Sequence, residues 1–427
     1  MIMTICLFVA SCKLLNYVYV GGDDWAHILW HSYDCAQQID NLFIGSSHVY
    51  CNVNPFLLDI INGQDNFNLG VGNLSVRGSY YALREAVGDH PEIDNVYLEL
   101  YYGINAGRDD SERIKGDWRL TSYMKPSVNK YQLLFSASGS EHYLESLFSF
   151  VRYRSKLFDL NYIKNEIKHK RSEDWRNYRF QYEFDDGNGM VEYWDKGFYD
   201  TTSVYREESL LYHTELNLEN EGLLDENNIR YLEKIIEYCQ EKGITIQLFV
   251  SPIYETQILS AENYDAYHQQ ILTIAEAYHV PFYDFNLCKF EYLDLGRELY
   301  HDIGHLNTAG ADTFTPFLWE VLTNKEEENR MYFCDSFLDR ICSEPPELYG
   351  VYYDIDADDR KECTVASNRD NDELVYRIII TPDEGEQYVV QDFSDNKTFV
   401  LPDDGTGWLT VVARDRAGNV QTLEMVY

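Results

Sequence analysis

The sequence lacks the patterns that mark several large classes of protein. Its nine cysteines form no CxxC pair and no metal-ligand spacing, which argues against a zinc or iron–sulfur site. No P-loop, glycine-rich dinucleotide fingerprint or HExxH motif is present. Basic residues are scarce, with 35 Lys and Arg against 72 Asp and Glu, and the formal net charge of −37 argues against nucleic acid as a partner. We therefore expect no metal and no other cofactor.

The rest of the composition is that of a folded protein. Hydrophobic residues make up 45% of the chain and charged residues 25%, which is typical of globular proteins. The length of 427 residues exceeds that of one ordinary compact domain and favours two or three units.

Residues 1–20, "MIMTICLFVASCKLLNYVYV", are nearly all apolar, with Lys13 as the one charged residue. This length could cross a bilayer or act as an uncleaved signal anchor, although the usual preceding basic region is missing. The run from Val9 to Cys12 resembles a lipoprotein cleavage box, but apolar residues continue beyond it. A buried helix or strand is the alternative. We predict an anchor over 1–20 and an extracytoplasmic, membrane-anchored protein.

From residue 21 to 335, strand patterns alternate with helix patterns. "IDNLFIG" is typical of a buried strand, and the next segment has helix signals in Asn54 as N-cap, Pro55 at the first position and Gly63 after the end. A second buried strand is predicted from Asn95 to Gly103, and the alternation returns after residue 225. This order predicts a parallel sheet covered on both faces, which binds ligands at the carboxyl ends of its strands.

Two further regions have a different pattern. Residues 104–224 are rich in Tyr, Arg, Lys, Trp and Asp, and we interpret them as a partly helical insertion over the active edge of the sheet. After the predicted linker "SEPPELYG", short alternating segments over 345–427 predict a small β-sandwich. Its last hairpin is predicted to turn at "DRAGN", Asp415–Asn419.

Candidate chemistry lies at two distant places. Ser47 follows a buried strand, and Asp302 and His305 lie three residues apart just before a helix. A carboxylate that orients an imidazole, which in turn takes the proton of a serine, is the arrangement used in nucleophilic acyl transfer. Ser47 could instead be a capping or turn serine, and His48 and His301 are nearby competitors for the histidine role. Cys51 lies a helical turn beyond the strand end and is less suited to attack.

These two blocks resemble those of the SGNH, or GDSL-like, hydrolase superfamily. "FIGSSH", Phe43–His48, resembles the nucleophile block with Ser46 in place of the family's aspartate, and "DIGHLN", Asp302–Asn307, resembles the closing DxxH block. The resemblance implies a flavodoxin-like three-layer α/β/α fold in which Ser47, Asp302 and His305 are catalytic. The second block would supply an oxyanion N–H from Gly72 or Asn73. In the third block Gly103 and Asn105 fit only with a shift, so Asn105 is a weaker candidate for the side-chain donor.

The resemblance is strongest to extracytoplasmic members, which include D-alanyl transfer proteins and polysaccharide O-acetyltransferase domains. It implies a serine-dependent esterase or acyltransferase acting on small acyl esters, such as O-acetyl groups, of a cell-envelope glycan or polymer. A membrane acyltransferase would be an expected partner. The C-terminal region resembles bacterial immunoglobulin-like modules, which are mostly spacers or binding appendages. The alternative function is that of a binding or assembly protein that keeps the fold but has little or no activity.

Overall fold

The computed structural model describes most of the chain. The described ranges are 2–21, 24–106, 110–137, 142–179, 181–183, 190–205, 211–212, 223–259, 263–342, 347–355, 360–368, 374–401 and 405–427. The strands are β1 Asn41–Gly45, β2 Asn66–Gly70, β3 Asn95–Glu99, β4 Gln181–Glu183, β5 Met190–Trp194, β6 Phe198–Thr201, β7 Leu211–Tyr212, β8 Thr245–Val250, β9 Phe282–Asp284, β10 Leu348–Ile355, β11 Lys361–Ser367, β12 Leu374–Pro382, β13 Tyr388–Ser394, β14 Thr398–Val400, β15 Gly407–Asp415 and β16 Val420–Val426.

Helices alternate with the strands that form the main sheet. They also account for most of the described residues between β3 and β4. The α-helices are Ile2–Tyr19, Asp24–Cys35, Ser47–Asn52, Pro55–Asn62, Val76–Asp89, Tyr102–Asn105, Asp110–Tyr123, Val128–Ala137, Tyr143–Leu147, Leu160–His169, Glu173–Asn177, Glu226–Lys242, Glu255–Leu259, Tyr264–Tyr278, Thr308–Thr323, Glu326–Asn329 and Phe337–Cys342. Short 3₁₀ helices cover Ser149–Lys156, Phe285–Leu287 and Arg297–Leu299.

The central feature is a five-stranded parallel sheet in the order β2-β1-β3-β8-β9. This is the strand order of flavodoxin-like sheets, in which the chain first builds one edge and then crosses to the other. The structure thus confirms the predicted α/β chain with a parallel sheet. The carboxyl ends of β1, β2 and β3 lie side by side, because Gly45 pairs with Gly70 and Ile44 with Leu98.

Both faces of this sheet are buried, which explains its nearly continuous apolar strands. Along β1, Leu42 and Ile44 join one core with the helices that include Leu83 and Ile235. Phe43, which points to the opposite face, joins a second core with the helix Thr308–Thr323. The sheet therefore lies between two helical layers.

Local signals set most of the helix ends in this domain. Asn54 caps Pro55–Asn62 by accepting from the backbone N–H groups of Phe56 and Leu57, and Gly63 ends the helix in the left-handed region at φ 67°. Ser75 likewise caps the next helix. The prediction for β3 was too long, because the strand ends at Glu99 and a short helix takes over at Tyr102. Gly103 and Asn105 therefore belong to that helix.

Between this short helix and residue 224, most of the described residues are helical, and a small antiparallel ribbon, β4-β5-β6, is also present. The helix Asp110–Tyr123 is an integral part of the core, since Leu120 is fully buried and the Leu120 carbonyl accepts from the indole N–H of Trp30. A buried ion pair, Arg77–Asp117 at 2.9 Å, joins the same helix to Val76–Asp89.

The N-terminal segment forms the helix Ile2–Tyr19, and its end docks on the inserted region. The Tyr162 hydroxyl donates to the Tyr19 carbonyl at 2.8 Å, and the Lys170 ammonium donates to the Tyr17 carbonyl at 2.8 Å. The predicted membrane span is not found: within the described ranges, no helix has both the length and the apolar character that crossing a bilayer requires.

The C-terminal region contains two four-stranded sheets, β14-β11-β10-β7 and β13-β12-β15-β16, around a core of their own. This confirms the prediction of a small domain of antiparallel sheets, although β7, from the inserted segment, pairs in parallel with β10. The predicted linker was too long, since Leu348 already begins β10. The last hairpin turns between Asp415 and Val420, with Gly418 at φ 90°.

Candidate active site

A tight turn at the carboxyl end of β1 presents Ser47. Ser46 caps the helix Ser47–Asn52, because its hydroxyl oxygen accepts the backbone N–H of His48. Ser47 is thus the first residue of a helix, at the edge of the sheet where the neighbouring strands β2 and β3 also end. The turn packs closely on the neighbouring strand, since a Cβ at Gly70 would lie 2.8 Å from the Ser46 carbonyl oxygen. This close packing fixes the backbone on which the Ser47 hydroxyl is carried.

The fold brings Ser47 together with Asp302 and His305, although Ser47 lies more than 250 residues before both of them. His305 Nε2 lies 2.7 Å from Ser47 Oγ. On the other side of the ring, His305 Nδ1 lies 2.9 Å from each carboxylate oxygen of Asp302. A hydrogen-bonded line therefore runs from carboxylate through imidazole to hydroxyl, which is the geometry of a serine nucleophile with its base and orienting acid.

Short-range contacts hold the loop that carries the acid and base. Asp302 Oδ1 accepts the backbone N–H groups of Gly304 at 2.8 Å and His305 at 2.9 Å, which folds the DxxH segment on itself. The backbone N–H of Leu306 donates to Asn52 Oδ1 at 3.0 Å. Since Asn52 ends the helix that begins at Ser47, this bond ties the loop directly to the nucleophile's helix.

The two titrating groups of the site support each other's charged forms. Burial would lower the pKa of His305, but the charge and hydrogen bond of Asp302 outweigh burial and raise it above its usual value. Burial would raise the pKa of Asp302, but the facing His305 imidazolium holds it well below its usual range. With about a quarter of His305 and a third of Asp302 exposed, solvent moderates this interaction. Beside Asp302, the His305 imidazole is therefore suited to accept a proton as a base and to hold it as imidazolium until the next step.

The turn after β2 carries Gly72 and Asn73 beside the nucleophile turn. The backbone N–H of Val71 donates to the Gly45 carbonyl at 3.1 Å, and Asn73 adopts the left-handed region at φ 62°. A helix from the inserted segment braces this turn. Arg119 Nη1 donates to the Gly72 carbonyl at 3.3 Å, and a Cβ at Gly116 would overlap the Asn73 carbonyl oxygen. Two inserted residues therefore fix the backbone expected to supply an oxyanion N–H.

Asn105 is held by hydrogen bonds at its own helix and to a neighbouring helix. Its amide Nδ2 donates to the Tyr101 carbonyl at 3.1 Å, and its backbone carbonyl accepts from Asn228 Nδ2 at 2.9 Å. The second bond ties the short helix Tyr102–Asn105 to the helix Glu226–Lys242. Within the described residues, no hydrogen bond joins Asn105 to Ser47.

The competing residues also have definite places. Cys51 is buried, and burial raises the pKa of its thiol well above the usual value, so the thiol stays protonated. The rings of His48 and His305 stack with centroids 4.7 Å apart, whereas the ring of His301 packs edge-on near Tyr199 at 5.9 Å. The imidazole that meets both the serine and the carboxylate is that of His305.

Sequence reasoning missed Glu99, which lies at the end of β3 and is 2% exposed. Its Oε2 accepts the Ser46 hydroxyl at 2.8 Å and the Ser46 N–H at 3.3 Å. A charged residue inside the otherwise apolar run "VYLEL" was the signal that could have identified it, since an acid is rarely buried without a partner.

The sequence matches no family model, and no curated protein is significantly similar to it. Among solved structures, the chain is similar to a Bacteroides fragilis protein described as a candidate acylhydrolase, at 9% identity with a TM-score of 0.32, over 68% of this chain and 92% of that one. It is also similar to a double mutant of the Cellulomonas fimi endo-beta-1,4-mannanase, at 10% identity with a TM-score of 0.16, over 96% and 98% of the two chains. Both TM-scores lie below 0.5, so neither similarity carries an argument.

Proposed function

We propose that this protein is a serine-dependent esterase or acyltransferase of the SGNH type. The observation that carries the proposal is the line of hydrogen bonds from Asp302 through His305 to Ser47, at the carboxyl ends of the strands of a parallel sheet. That edge is where open α/β sheets bind their ligands.

The chemistry follows from the geometry. His305 Nε2 takes the Ser47 proton as the Ser47 oxygen attacks the acyl carbon, and Asp302 stabilises the imidazolium that forms. The backbone N–H of Ser47 and that of Gly72 or Asn73 would hold the oxyanion. Ser47 is suited to this because the first turn of a helix leaves its N–H groups without partners inside the helix. His305 then returns the proton to the leaving oxygen, which leaves the acyl group on Ser47. Water as the second acceptor completes hydrolysis, and a sugar hydroxyl completes transfer.

For the natural substrate we propose only a chemical class. We assign it to small acyl esters, such as O-acetyl groups, on a cell-envelope glycan or polymer, with a membrane acyltransferase as donor partner and a surface-anchored location. These points are supported by the resemblance of the blocks Phe43–His48 and Asp302–Asn307 to extracytoplasmic members of the superfamily.

The test is covalent labelling of the nucleophile. The full chain is treated with a fluorophosphonate, which reacts with activated serines, and the adduct is located by tandem mass spectrometry. In parallel, hydrolysis of p-nitrophenyl acetate is measured for wild type, Ser47→Ala and Ser136→Ala. Ser136 is the matched control, because it is an exposed serine on another helix. We expect the adduct on Ser47, a loss of about a thousandfold or more in S47A, and wild-type rates in S136A.

The same experiment can contradict the proposal. Absence of an adduct at Ser47, together with equal rates for wild type and S47A, would show that the serine is not activated. That result would favour the binding or assembly protein over the enzyme.

A further inference from the structure

A second set of hydrogen-bonded side chains lies beneath the nucleophile turn, and the mechanism above does not use it. Its first member is Glu99, whose carboxylate oxygen Oε2 accepts both the side-chain and the backbone hydrogen of Ser46. The close packing needs Gly45, since a Cβ there would lie 2.8 Å from the Cβ of Glu99. The carboxyl group is therefore built into the turn that ends at Ser47.

The second link runs from Ser46 to His48. Ser46 Oγ lies 3.1 Å from His48 Nδ1 and also accepts the His48 backbone N–H at 3.4 Å. When Glu99 is ionised, the single hydroxyl proton is donated to its carboxylate, so His48 Nδ1 is the donor to Ser46 Oγ. In that state the neutral His48 ring carries its proton on Nδ1. Burial also lowers the pKa of His48 well below its usual value, which keeps the ring neutral.

The third link is a stack of rings. The His48 ring lies between His305, at 4.7 Å and 29° between planes, and Tyr101, at 3.8 Å. The Tyr101 hydroxyl in turn accepts from Gln257 Nε2 at 2.9 Å. His48 thus supports one flat face of the base, and a neutral His48 does not repel the charge that His305 acquires during attack.

The charge of Glu99 is expected to change near neutral pH. Burial raises the pKa of Glu99 to about 7, while the Ser46 hydrogen bonds and the His305 charge oppose the rise. The titratable groups that face it are His305, which Asp302 holds from the other side, and the buried Tyr267 of the helix Tyr264–Tyr278. Within the described residues, Oε1 of Glu99 is buried and has no hydrogen-bond partner. No fixed cation neutralises this carboxylate in the contacts of the described residues.

We propose that Glu99 is a positioning residue for the Ser47–His305 pair: it anchors Ser46, orients His48 through Ser46 and, when ionised, adds its charge to that of Asp302 in stabilising the His305 imidazolium. The inference rests on the proposed function, since it assumes that Ser47 and His305 act as nucleophile and base. A second hydrogen-bonded line runs from Glu99 through Ser46 to His48, and the His48 ring stacks on the ring of His305.

The test uses two substitutions at Glu99 and a matched control. Glu99→Gln keeps the shape and an oxygen acceptor for Ser46 but cannot ionise, whereas Glu99→Ala removes the anchor. Glu85→Gln changes another buried glutamate, which is 8% exposed and bonds Asn129 on a different helix pair. The kcat and KM values for p-nitrophenyl acetate are measured across the pH range.

We expect the acid limb of the E99Q profile to move to lower pH, because the anion that favours the His305 imidazolium is gone. The E85Q profile should overlay the wild type. In E99A, kcat should fall about tenfold to a hundredfold with little change in KM, because the nucleophile turn loses its anchor. An E99Q limb that coincides with wild type, or an E99A kcat equal to wild type, would overturn the inference.

A readout without turnover separates this inference from the proposed function. The His305 ring is titrated by NMR in the Ser47→Ala background, with and without Glu99→Gln. A lower His305 pKa in the E99Q chain supports the link between the two lines even if no hydrolysis is found. An unchanged His305 pKa refutes that link even if Ser47 proves to be the nucleophile.

Discussion

The buried carboxyl of Glu99 should make the stability of the α/β domain depend on pH. The pKa of Glu99 rises from 4.5 to about 7 in the folded chain, mainly through burial. The folded state therefore binds this proton more tightly than the unfolded state does. The resulting stabilisation is complete below about pH 4.5 and is lost as the pH rises through about 7. At 1.36 kcal/mol per pKa unit, the full loss amounts to about 3 kcal/mol.

The substitution Glu99→Gln removes this dependence, because the amide cannot ionise. We expect the free energy of unfolding of E99Q, relative to wild type, to rise by about 3 kcal/mol between about pH 4.5 and about pH 8. The assay is urea unfolding at several pH values, followed by a probe in the α/β domain, because a chain with a separate C-terminal domain can unfold in more than one transition. Glu85→Gln is measured alongside it as a control for replacing a buried glutamate by glutamine elsewhere in the domain.

One result would refute the reasoning. If the stability difference between E99Q and wild type is the same at about pH 5 and about pH 8, Glu99 does not titrate in this window. The carboxyl would then be ionised in the folded chain as it is in the unfolded chain, and the burial argument would fail.

Two other substitutions test the geometry of the site. Asp302→Asn removes the anion that raises the His305 pKa, so hydrolysis of p-nitrophenyl acetate should fall about a thousandfold or more, and a variant retaining wild-type kcat would contradict the orienting role. Gly116→Ala should destabilise the domain by about 1–3 kcal/mol in urea unfolding and lower kcat, because the new methyl group overlaps the Asn73 carbonyl. Gly88→Ala, with open space at its Cβ, is the matched control and should be neutral or stabilising; equal effects of the two changes would refute the contact.

The contacts of the inserted segment with the turn at Gly72 show part of its structural role. The sequence predicted a partly helical insertion over the active edge of the sheet. In the structure, the helix Asp110–Tyr123 contacts the turn through Gly116 and Arg119 and is tied into the core by the Arg77–Asp117 pair. Part of the segment thus supports the backbone of the site itself.

The sequence alone determined the features that depend on short-range chemistry. Asn54 and Gly63 mark helix ends because capping involves neighbours within one turn, and the structure uses both as predicted. The alternation of buried strands and helices likewise predicts a parallel sheet, since two covered faces require apolar residues on both sides of each strand. The DxxH spacing places Asp302 beside His305 for the same local reason.

Only the tertiary structure decided which distant residues meet. The path of the chain through the sheet brings His305 to Ser47, and no local pattern measures a distance across more than 250 residues. The same packing decided that β3 ends at Glu99, which draws this acid beneath the nucleophile turn and leaves Asn105 in a helix contact. Burial and charge interactions are properties of the assembled neighbourhood, so the protonation of Glu99 and His305 could be assigned only after the fold was known.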